Sequence, residues 1–317
     1  MDKQASTGFK DLVQRKLQFV VDELKKVVGN GAIELLKMNK GKIGRPYRYS
    51  ETEIVNASAF KSLMRQGFRQ TAVLIKGLAG SCASYSQLCR RLASAGIKWL
   101  INRTKRKGRY LAIDGTGIST HYRGDYRSGK YSIRQPFYKF HALEDAETGE
   151  LVNYRLTSDR IGDNGKFLAI VREAARRGDI VYADGAYDAK DNFSFLEKRG
   201  IRSGIKIRQT ASPTAPGCLP RKKAVMEQFS LLPHGHLERK HPLAEKGRMF
   251  FSETERMKYW QQRWKDKVGY GRRTSVERSY STFKALFGGY ASSRKWKSLR
   301  KEMLIKCLTY NKLLEIR

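Results

Sequence analysis

The order of predicted elements between residues 110 and 207 limits the possible folds more than any other feature of this chain. Three apolar strands come first, followed by a helix, a strand, a second helix and a last strand. Consecutive strands can pair through short turns, whereas strands separated by a helix need a crossover and usually pair in parallel. The order therefore predicts a mixed α/β sheet with helices packed against it.

The boundaries of these elements follow from apolar runs and turn residues. The predicted strands are Tyr110–Ile113, Phe137–Leu143, Leu151–Leu156, Ile180–Ala183 and Ser203–Ile207, and the predicted helices between them are Phe167–Arg176 and Asp191–Lys198. Five of the seven prolines fall in residues 209–250, which predicts an irregular insertion. Residues 253–317 are expected to be helical and basic.

The first 107 residues are predicted to be mostly helical. Apolar residues at helical spacing in 11–28 indicate an amphipathic helix. Ser50–Glu53 and Ser84–Gln87 have the spacing of capping boxes that begin two more helices. Because the last of these helices carries Arg90 and Arg91, the region is either a helix-turn-helix DNA reader or a plain helical packing domain.

The charge of the chain indicates a polyanionic partner. There are 64 Lys and Arg residues against 30 Asp and Glu, a formal net charge of +34. The excess is spread along the chain, since residues 1–110 have a net charge of +16 and residues 111–317 one of +18. An excess of this size is typical of proteins that bind nucleic acid.

Several features of the sequence favour a cytoplasmic protein. No apolar run is long enough to span a membrane, and the first residues lack the apolar segment of a secretory signal. The four cysteines include no C-x-x-C pair, which is typical of free thiols in a reducing compartment. We expect a location in the cytoplasm in contact with the nucleoid, and no membrane partner.

Two of the predicted strands end in the same pair of residues. Asp114-Gly115 follows the strand Tyr110–Ile113, and Asp184-Gly185 follows the strand Ile180–Ala183. Each aspartate alone could simply cap a turn. Since α/β sheets place their ligands at the carboxyl ends of strands, two equivalent aspartates in so basic a chain indicate a shared site.

A third acidic residue, Glu277, completes this candidate site. At about 100° per residue, Tyr270, Arg273, Glu277 and Lys284 fall within roughly 60° of one helical face. The alternative is an ordinary solvated polar face. Three carboxylates brought together would repel one another strongly, so the site would need a cation, and Mg²⁺ or Mn²⁺ prefers such oxygen ligands. Two such ions can support an in-line displacement at phosphorus.

At these residues the chain resembles a known family, the DDE transposases of prokaryotic insertion sequences, and most of all their insertion-sequence-five type. Tyr270, Arg273, Glu277 and Lys284 fit the family signature Y-x2-R-x3-E-x6-K. The segments Ile113–Gly117 and Ala183–Asp188 are similar to its two aspartate motifs, and Tyr138–His141 is similar to its K-x-H strand. The stretches 44–50 and 85–91 are similar to its N-terminal region.

The resemblance implies a ribonuclease-H-like catalytic domain in which Asp114, Asp184 and Glu277 are the catalytic residues and hold two Mg²⁺ ions, with Mn²⁺ as a substitute. It implies cleavage at the ends of a mobile element and joining of the 3′-hydroxyl ends to target DNA. The expected DNA contacts are Tyr270, Arg273, Lys284, Lys139, His141, Arg90 and Arg91. The N-terminal helical region would bind the terminal inverted repeats, and a homodimer is expected because two DNA ends must be paired.

On this basis the predicted domains are an N-terminal helix at 1–38, a DNA-end-binding region at 39–107, and a catalytic domain at 108–317 with an insertion at about 209–262. Two alternatives stay open. One is a DNA-binding protein without catalysis, such as a domesticated transposase acting as a regulator. The other is a structure-specific nuclease of the same fold. His234, His236 and His241 belong either to a polar loop or to a zinc site that lacks a convincing fourth ligand.

Overall fold

The structure is a computed structural model that describes residues 14–16, 18, 19, 22, 36–94, 110–120, 137–162, 164–212, 216–229, 253–293 and 295–315. The chain divides into two compact units. One takes its residues from Met1–Leu100, Ile118–Phe137 and Thr282–Arg317, and the other from Ile101–Gly117 and Tyr138–Ser281. In the described residues no helix is both long and apolar enough to cross a membrane.

The second unit is built on a mixed sheet, as the element order predicts. Its strands are β1 (Tyr110–Thr120), β2 (Phe137–Asp145), β3 (Leu151–Ser158), β4 (Ile180–Ala183) and β5 (Arg202–Ile205). They lie in the order β3-β2-β1-β4-β5. β2 and β3 pair antiparallel through the turn that ends at Gly149, whereas β1, β4 and β5 are parallel.

In its described residues the second unit has five α-helices, of which two lie between strands in the sequence and three come after its last strand. They are α4 (Asn164–Ala174), α5 (Lys190–Lys198), α6 (Leu219–Phe229), α7 (Glu253–Val268) and the first part of α8 (Thr274–Phe287). Fully buried side chains from the strands and from α4 and α5, such as Ile113, Val181, Phe167 and Phe193, form a common core. The helix α6 was not predicted, since an irregular insertion was expected there, and only parts of residues 209–250 are described.

The first unit contains the N-terminal helices α1 (Glu51–Met64), α2 (Phe68–Ala79) and α3 (Tyr85–Ser94), together with α9 (Trp296–Glu315) and the short strand β6 (Tyr290–Ala291). Both predicted capping boxes are confirmed. Ser50 Oγ accepts from Glu53 N at 3.1 Å while Glu53 Oε2 accepts from Ser50 N, and Ser84 and Gln87 exchange the equivalent bonds. Of the helix predicted in 11–28, residues 14–16, 18, 19 and 22 are described, and they are helical.

A buried ionic cluster stabilises the first unit between α1 and α9. Glu302 accepts hydrogen bonds from Ser292 N at 3.0 Å and Ser293 N at 2.9 Å, and lies 3.6 Å from Lys61 Nζ and 3.5 Å from Lys306 Nζ. These four partners compensate a carboxylate that is almost completely removed from water. The cluster fixes the segment that enters α9.

Candidate functional site

The two aspartates predicted to share a site lie in the same row of the sheet. β1 and β4 pair in parallel, and their last paired residues are Ala112 and Tyr182. Asp114 and Asp184 each lie two residues beyond this pair, so the parallel register brings them to the same level on neighbouring strands. Both side chains are partly buried.

The prediction that a strand ends at Asp114 was wrong, because β1 continues to Thr120. Beyond its pairing with β4, the strand gains a second partner, as Ser119 and Thr120 pair in parallel with Tyr290 and Ala291 of β6. Asp114 therefore lies inside a long strand, at the point where pairing with β4 stops. Its Oδ1 atom accepts a hydrogen bond from Gly115 N at 2.8 Å.

Asp184, by contrast, follows its strand as predicted. It is the N-cap of a short 3₁₀ turn at Gly185–Tyr187, where its Oδ1 atom accepts from Ala186 N at 2.9 Å. An exposed arginine, Arg208, covers this turn by donating to Gly185 O at 2.7 Å. One carboxylate oxygen of Asp184 thus shapes the turn.

Glu277 lies in the first turn of α8 and is half exposed. The four signature residues do not form one continuous α-helix, since Tyr270–Arg273 is a 3₁₀ turn and α8 begins at Thr274. Tyr270 consequently points into the interior, whereas Glu277 faces outward. Val276, directly before Glu277, is fully buried.

Arg273 connects two of the three predicted catalytic carboxylates. Its Nη1 atom lies 3.4 Å from Asp114 Oδ2, and its Nη2 atom donates to Glu277 Oε1 at 2.5 Å. A guanidinium keeps its positive charge throughout the physiological pH range and can bind two acceptors with its planar fork of donors. Arg273 is therefore the counter-ion of this acidic group.

Asp114 lies within electrostatic reach of both other acids. Burial raises the pKa of the Asp114 carboxyl above its ordinary value, while the bond from Gly115 and the charge of Arg273 lower it. The charges of Asp184 and Glu277 each raise it further. Asp114 is thus influenced by the charges of both other predicted site residues.

Two tyrosine hydroxyls hold the third acid's segment against the sheet. Tyr270 donates to the carbonyl of Ala183, directly before Asp184, at 3.0 Å. Tyr280 donates to the carbonyl of Asp114 at 2.5 Å and accepts from Ala142 N at 3.1 Å. Tyr280 was missed by the sequence analysis, although its position one turn after Glu277 on the buried side of α8 is a usable signal.

The predicted DNA contacts on the sheet and on α8 differ in exposure. His141 is completely buried on β2, where its Nε2 atom bonds to Thr157 Oγ1 at 2.9 Å, so DNA has no access to its side chain in this arrangement. Lys139 is partly exposed on the same strand, and Lys284 is partly exposed in the last turn of α8. Their DNA contacts stay predictions.

The two arginines of α3 have different surroundings. Arg90 is exposed and donates to Ser86 O at 3.2 Å on its own helix. Arg91 is partly buried, donates to Tyr49 O at 2.6 Å, and lies 4.6 Å from the ring centre of Tyr47. Arg91 therefore fastens the segment before α1 to α3, whereas Arg90 is available to a partner.

Other nearby acids have structural partners. Asp188 is buried and forms a two-point ion pair with Arg221, with distances of 2.6 and 3.0 Å. Asp145 is buried and accepts from Glu147 N at 3.0 Å. Asp125 and the three histidines at 234, 236 and 241 lie outside the described residues.

The cluster fits a divalent cation in chemistry but not in arrangement. Carboxylate oxygens are the ligands that Mg²⁺ and Mn²⁺ prefer. Yet among the described residues no three His, Cys, Asp or Glu side chains are grouped so that they could hold a metal ion. Arg273 contacts one oxygen of each of two carboxylates, Oδ2 of Asp114 and Oε1 of Glu277.

Comparison with known proteins identifies the family. Residues 105–312 match a family model described as "Transposase DDE domain", and residues 25–122 match a second model with the same description. The first match covers more than half of the chain, so the protein belongs to the DDE transposase family. Asp114, Asp184 and Glu277 all fall within the matched residues, and the family implies activity in DNA cutting and strand transfer.

Two solved structures are similar over nearly the whole chain. One is a cryo-EM structure of the piggyBac transposase synaptic complex with hairpin DNA, at 10% identity and a TM-score of 0.43, covering 96% of this chain and 74% of the other. The second is the Drosophila P element transposase strand transfer complex, at 12% identity and a TM-score of 0.31, covering 94% and 86%.

Proposed function

We propose that this transposase binds the terminal inverted repeats of its own mobile element, cleaves DNA at their ends and joins the 3′-hydroxyl ends to target DNA. Asp114, Asp184 and Glu277 would be its catalytic residues, in a ribonuclease-H-like domain of the insertion-sequence-five type. The observation that carries the proposal is the convergence of these acids, since two lie in one row of the sheet and the third shares the guanidinium of Arg273 with Asp114.

The charge of the protein supports double-stranded DNA as the partner. With a net charge of +34, binding would release counterions from the phosphate backbone and weaken steeply as salt rises. The exposed Arg90 on α3 supports recognition of the repeats by the N-terminal helices. We also propose a homodimer, because two ends must be paired, and a cytoplasmic, nucleoid-associated location.

A pair of Mg²⁺ ions, with Mn²⁺ as a substitute, belongs to the same proposal. When bound to the three carboxylates, such ions would polarise the phosphate and lower the pKa of the attacking water or hydroxyl. In this structure Arg273 contacts two of these carboxylates and neutralises part of their charge. The ions would bind to the same carboxylates.

The decisive experiment incubates the purified chain and Mg²⁺ with DNA that carries the inverted repeats flanking its gene. A transposase cuts at the repeat ends and produces strand-transfer products. A structure-specific nuclease cuts only branched DNA, and a regulator without catalysis only binds.

The variants Asp114→Asn, Asp184→Asn and Glu277→Gln should each abolish cutting while DNA binding persists. Asp266→Asn is the matched control, because this exposed aspartate of α7 accepts a local side-chain bond from Gln262, one turn earlier on the same helix. Retained cutting in one of the three variants would remove that residue from the catalytic set.

A further inference from the structure

The position of Arg273 raises the question of what a divalent cation must displace in order to bind. Its guanidinium spans Asp114 and Glu277, at 3.4 and 2.5 Å. Its side chain is 18% exposed, and that of Asp114 21%, so water screens this contact only in part. Charge-assisted contacts of this kind are stronger than neutral hydrogen bonds, and stronger again where water is partly excluded.

We propose that Arg273 is a built-in cation that competes with the divalent metal for the acidic site. In the free protein it neutralises Asp114 and Glu277 and keeps their oxygens from gathering around a common point. A metal ion binds tightly only when the Arg273 guanidinium leaves these carboxylates. Arg273 therefore lowers the affinity of the metal-free protein for the ion. This inference rests on the proposed function, in which these carboxylates are the metal ligands.

Electrostatics makes the guanidinium and the metal ion compete for the same carboxylates. A carboxylate oxygen that lies against the guanidinium has less negative charge to offer an ion, and the guanidinium repels an ion that comes within a few ångströms.

The chain offers a matched control in the neighbouring arginine. Arg272 lies in the same 3₁₀ turn and carries the same charge, but it is exposed and its guanidinium lies 4.1 Å from the ring centre of Tyr110. Removing Arg272 changes the net charge as much as removing Arg273 does. Only the loss of Arg273 frees the two carboxylates.

The test measures Mn²⁺ binding to the full chain without DNA, by electron paramagnetic resonance of free Mn²⁺. The proteins are the wild type, Arg273→Gln, Arg273→Lys, Arg272→Gln and Glu277→Gln. We expect Arg273→Gln to bind at least about 10-fold more tightly than the wild type, which is about 1.4 kcal/mol of competition removed. Arg272→Gln should match the wild type, and Glu277→Gln should bind more weakly.

Thermal unfolding gives a second readout. Without metal, Arg273→Gln should unfold at a lower temperature than the wild type, because its carboxylates have lost their counter-ion. Added Mn²⁺ should then raise its unfolding temperature more than that of the wild type, since ligand stabilisation follows affinity. Arg273→Lys, which keeps the charge, should lie between the two.

The outcomes separate the two proposals. If Arg273→Gln binds Mn²⁺ as tightly as the wild type or more weakly, Arg273 does not compete with the metal. If Glu277→Gln still weakens binding in that case, the proposed metal-binding carboxylates are not contradicted. Mn²⁺ binding that is insensitive to Glu277→Gln in a folded protein overturns both. Tighter binding by Arg272→Gln equal to that of Arg273→Gln would reduce the effect to net charge and also overturn the competition.

Discussion

The hydroxyl of Tyr280 donates to the backbone carbonyl of Asp114 at 2.5 Å, across 166 positions of sequence. The same oxygen accepts from Ala142 N, so one side chain joins α8 to the two neighbouring strands β1 and β2. Since Glu277 lies one turn earlier on α8, the bond sets the height of the third acid relative to the first. Tyr270, just before α8, donates to the carbonyl of Ala183 and so holds this segment next to Asp184.

Substituting Tyr280→Phe should therefore destabilise the protein and reduce cutting. The ring would keep its packing against Phe140, at 5.9 Å between ring centres, but the partly buried carbonyl of Asp114 and the buried amide of Ala142 would lose their partner. Such losses cost about 1–3 kcal/mol. Denaturant unfolding measures the cost, and Tyr85→Phe, at a ring that is 45% exposed, should change nothing. Equal stability of both variants would show that the Tyr280 bond contributes little.

The local elements could be predicted from the sequence where the signal is itself local. The capping boxes at Ser50 and Ser84 and the strand Ile180–Ala183 agree with the structure because the side chains and spacing that create them are adjacent in sequence. The length of β1 could not be predicted in this way. Its second half is a strand because it pairs with β6, some 170 residues later.

The candidate site also combines features that local sequence predicts with contacts that it does not. The three acids follow from motifs, whereas the contact between Arg273 and Asp114 joins residues 159 positions apart and has no local signature. Helical spacing also placed Tyr270 on the exposed stripe, but a 3₁₀ turn rotates it into the interior. His141 is similarly hidden, since a motif gives residue types and not the depth of a strand.

The two arginines of α3 should behave differently in DNA binding. Arg90→Ala removes an exposed cation and should weaken binding to the inverted repeats more than to random DNA, if α3 is a base-reading helix. Arg91→Ala should instead lower stability by about 1–3 kcal/mol, because it leaves Tyr49 O without its charged donor and Tyr47 without its cation. Fluorescence anisotropy with both DNAs and denaturant unfolding measure the two effects. Equal losses on both DNAs for Arg90→Ala would argue for phosphate contact alone.

The ionic cluster around Glu302 should make stability fall at low pH. Burial alone would raise the pKa of this carboxyl, but Lys61, Lys306 and the bonds from Ser293 and Ser292 outweigh burial and lower it to about 2. In the unfolded chain the value returns to about 4.5. The stabilisation is therefore complete above about pH 4.5 and is lost as the pH falls towards 2.

Glu302→Gln tests this directly. At pH 7 it should cost about 3–5 kcal/mol, since two buried lysines lose their counter-ion. The difference between the wild type and the variant should shrink as the pH falls from 4.5 to 2, measured by urea unfolding at each pH. The control is Glu315→Gln on the same helix. Glu315 is exposed and pairs with Lys312, so its substitution should show no such cost. A difference that stays constant with pH would contradict the low pKa.

A second buried acid, Glu144, should make stability fall as the pH rises. The pairing of β2 with β3 shifts register between Leu143 and Glu144, and Glu144 is completely buried. Burial raises its pKa to about 7, with a smaller rise from Asp145, while the hydroxyls of Ser279 and Ser275 and the charge of Arg278 on α8 lower it only in part. The raised pKa keeps this side chain protonated to a higher pH in the folded protein than in the unfolded chain.

Because the folded protein holds this proton more tightly than the unfolded chain, stability should fall as the pH rises from about 4.5 to 7 and then level off. Glu144→Gln mimics the neutral form and should remove that fall. The variant should equal the wild type near pH 4.5 and exceed it by roughly 3 kcal/mol at pH 8, at about 1.4 kcal/mol for each pKa unit. Urea unfolding across this range measures the difference, with Glu147→Gln at an exposed position of the same turn as control. A wild type that is as stable as Glu144→Gln at pH 8 would mean that Glu144 ionises in the folded protein without cost, and that Ser275, Ser279 and Arg278 accommodate its charge.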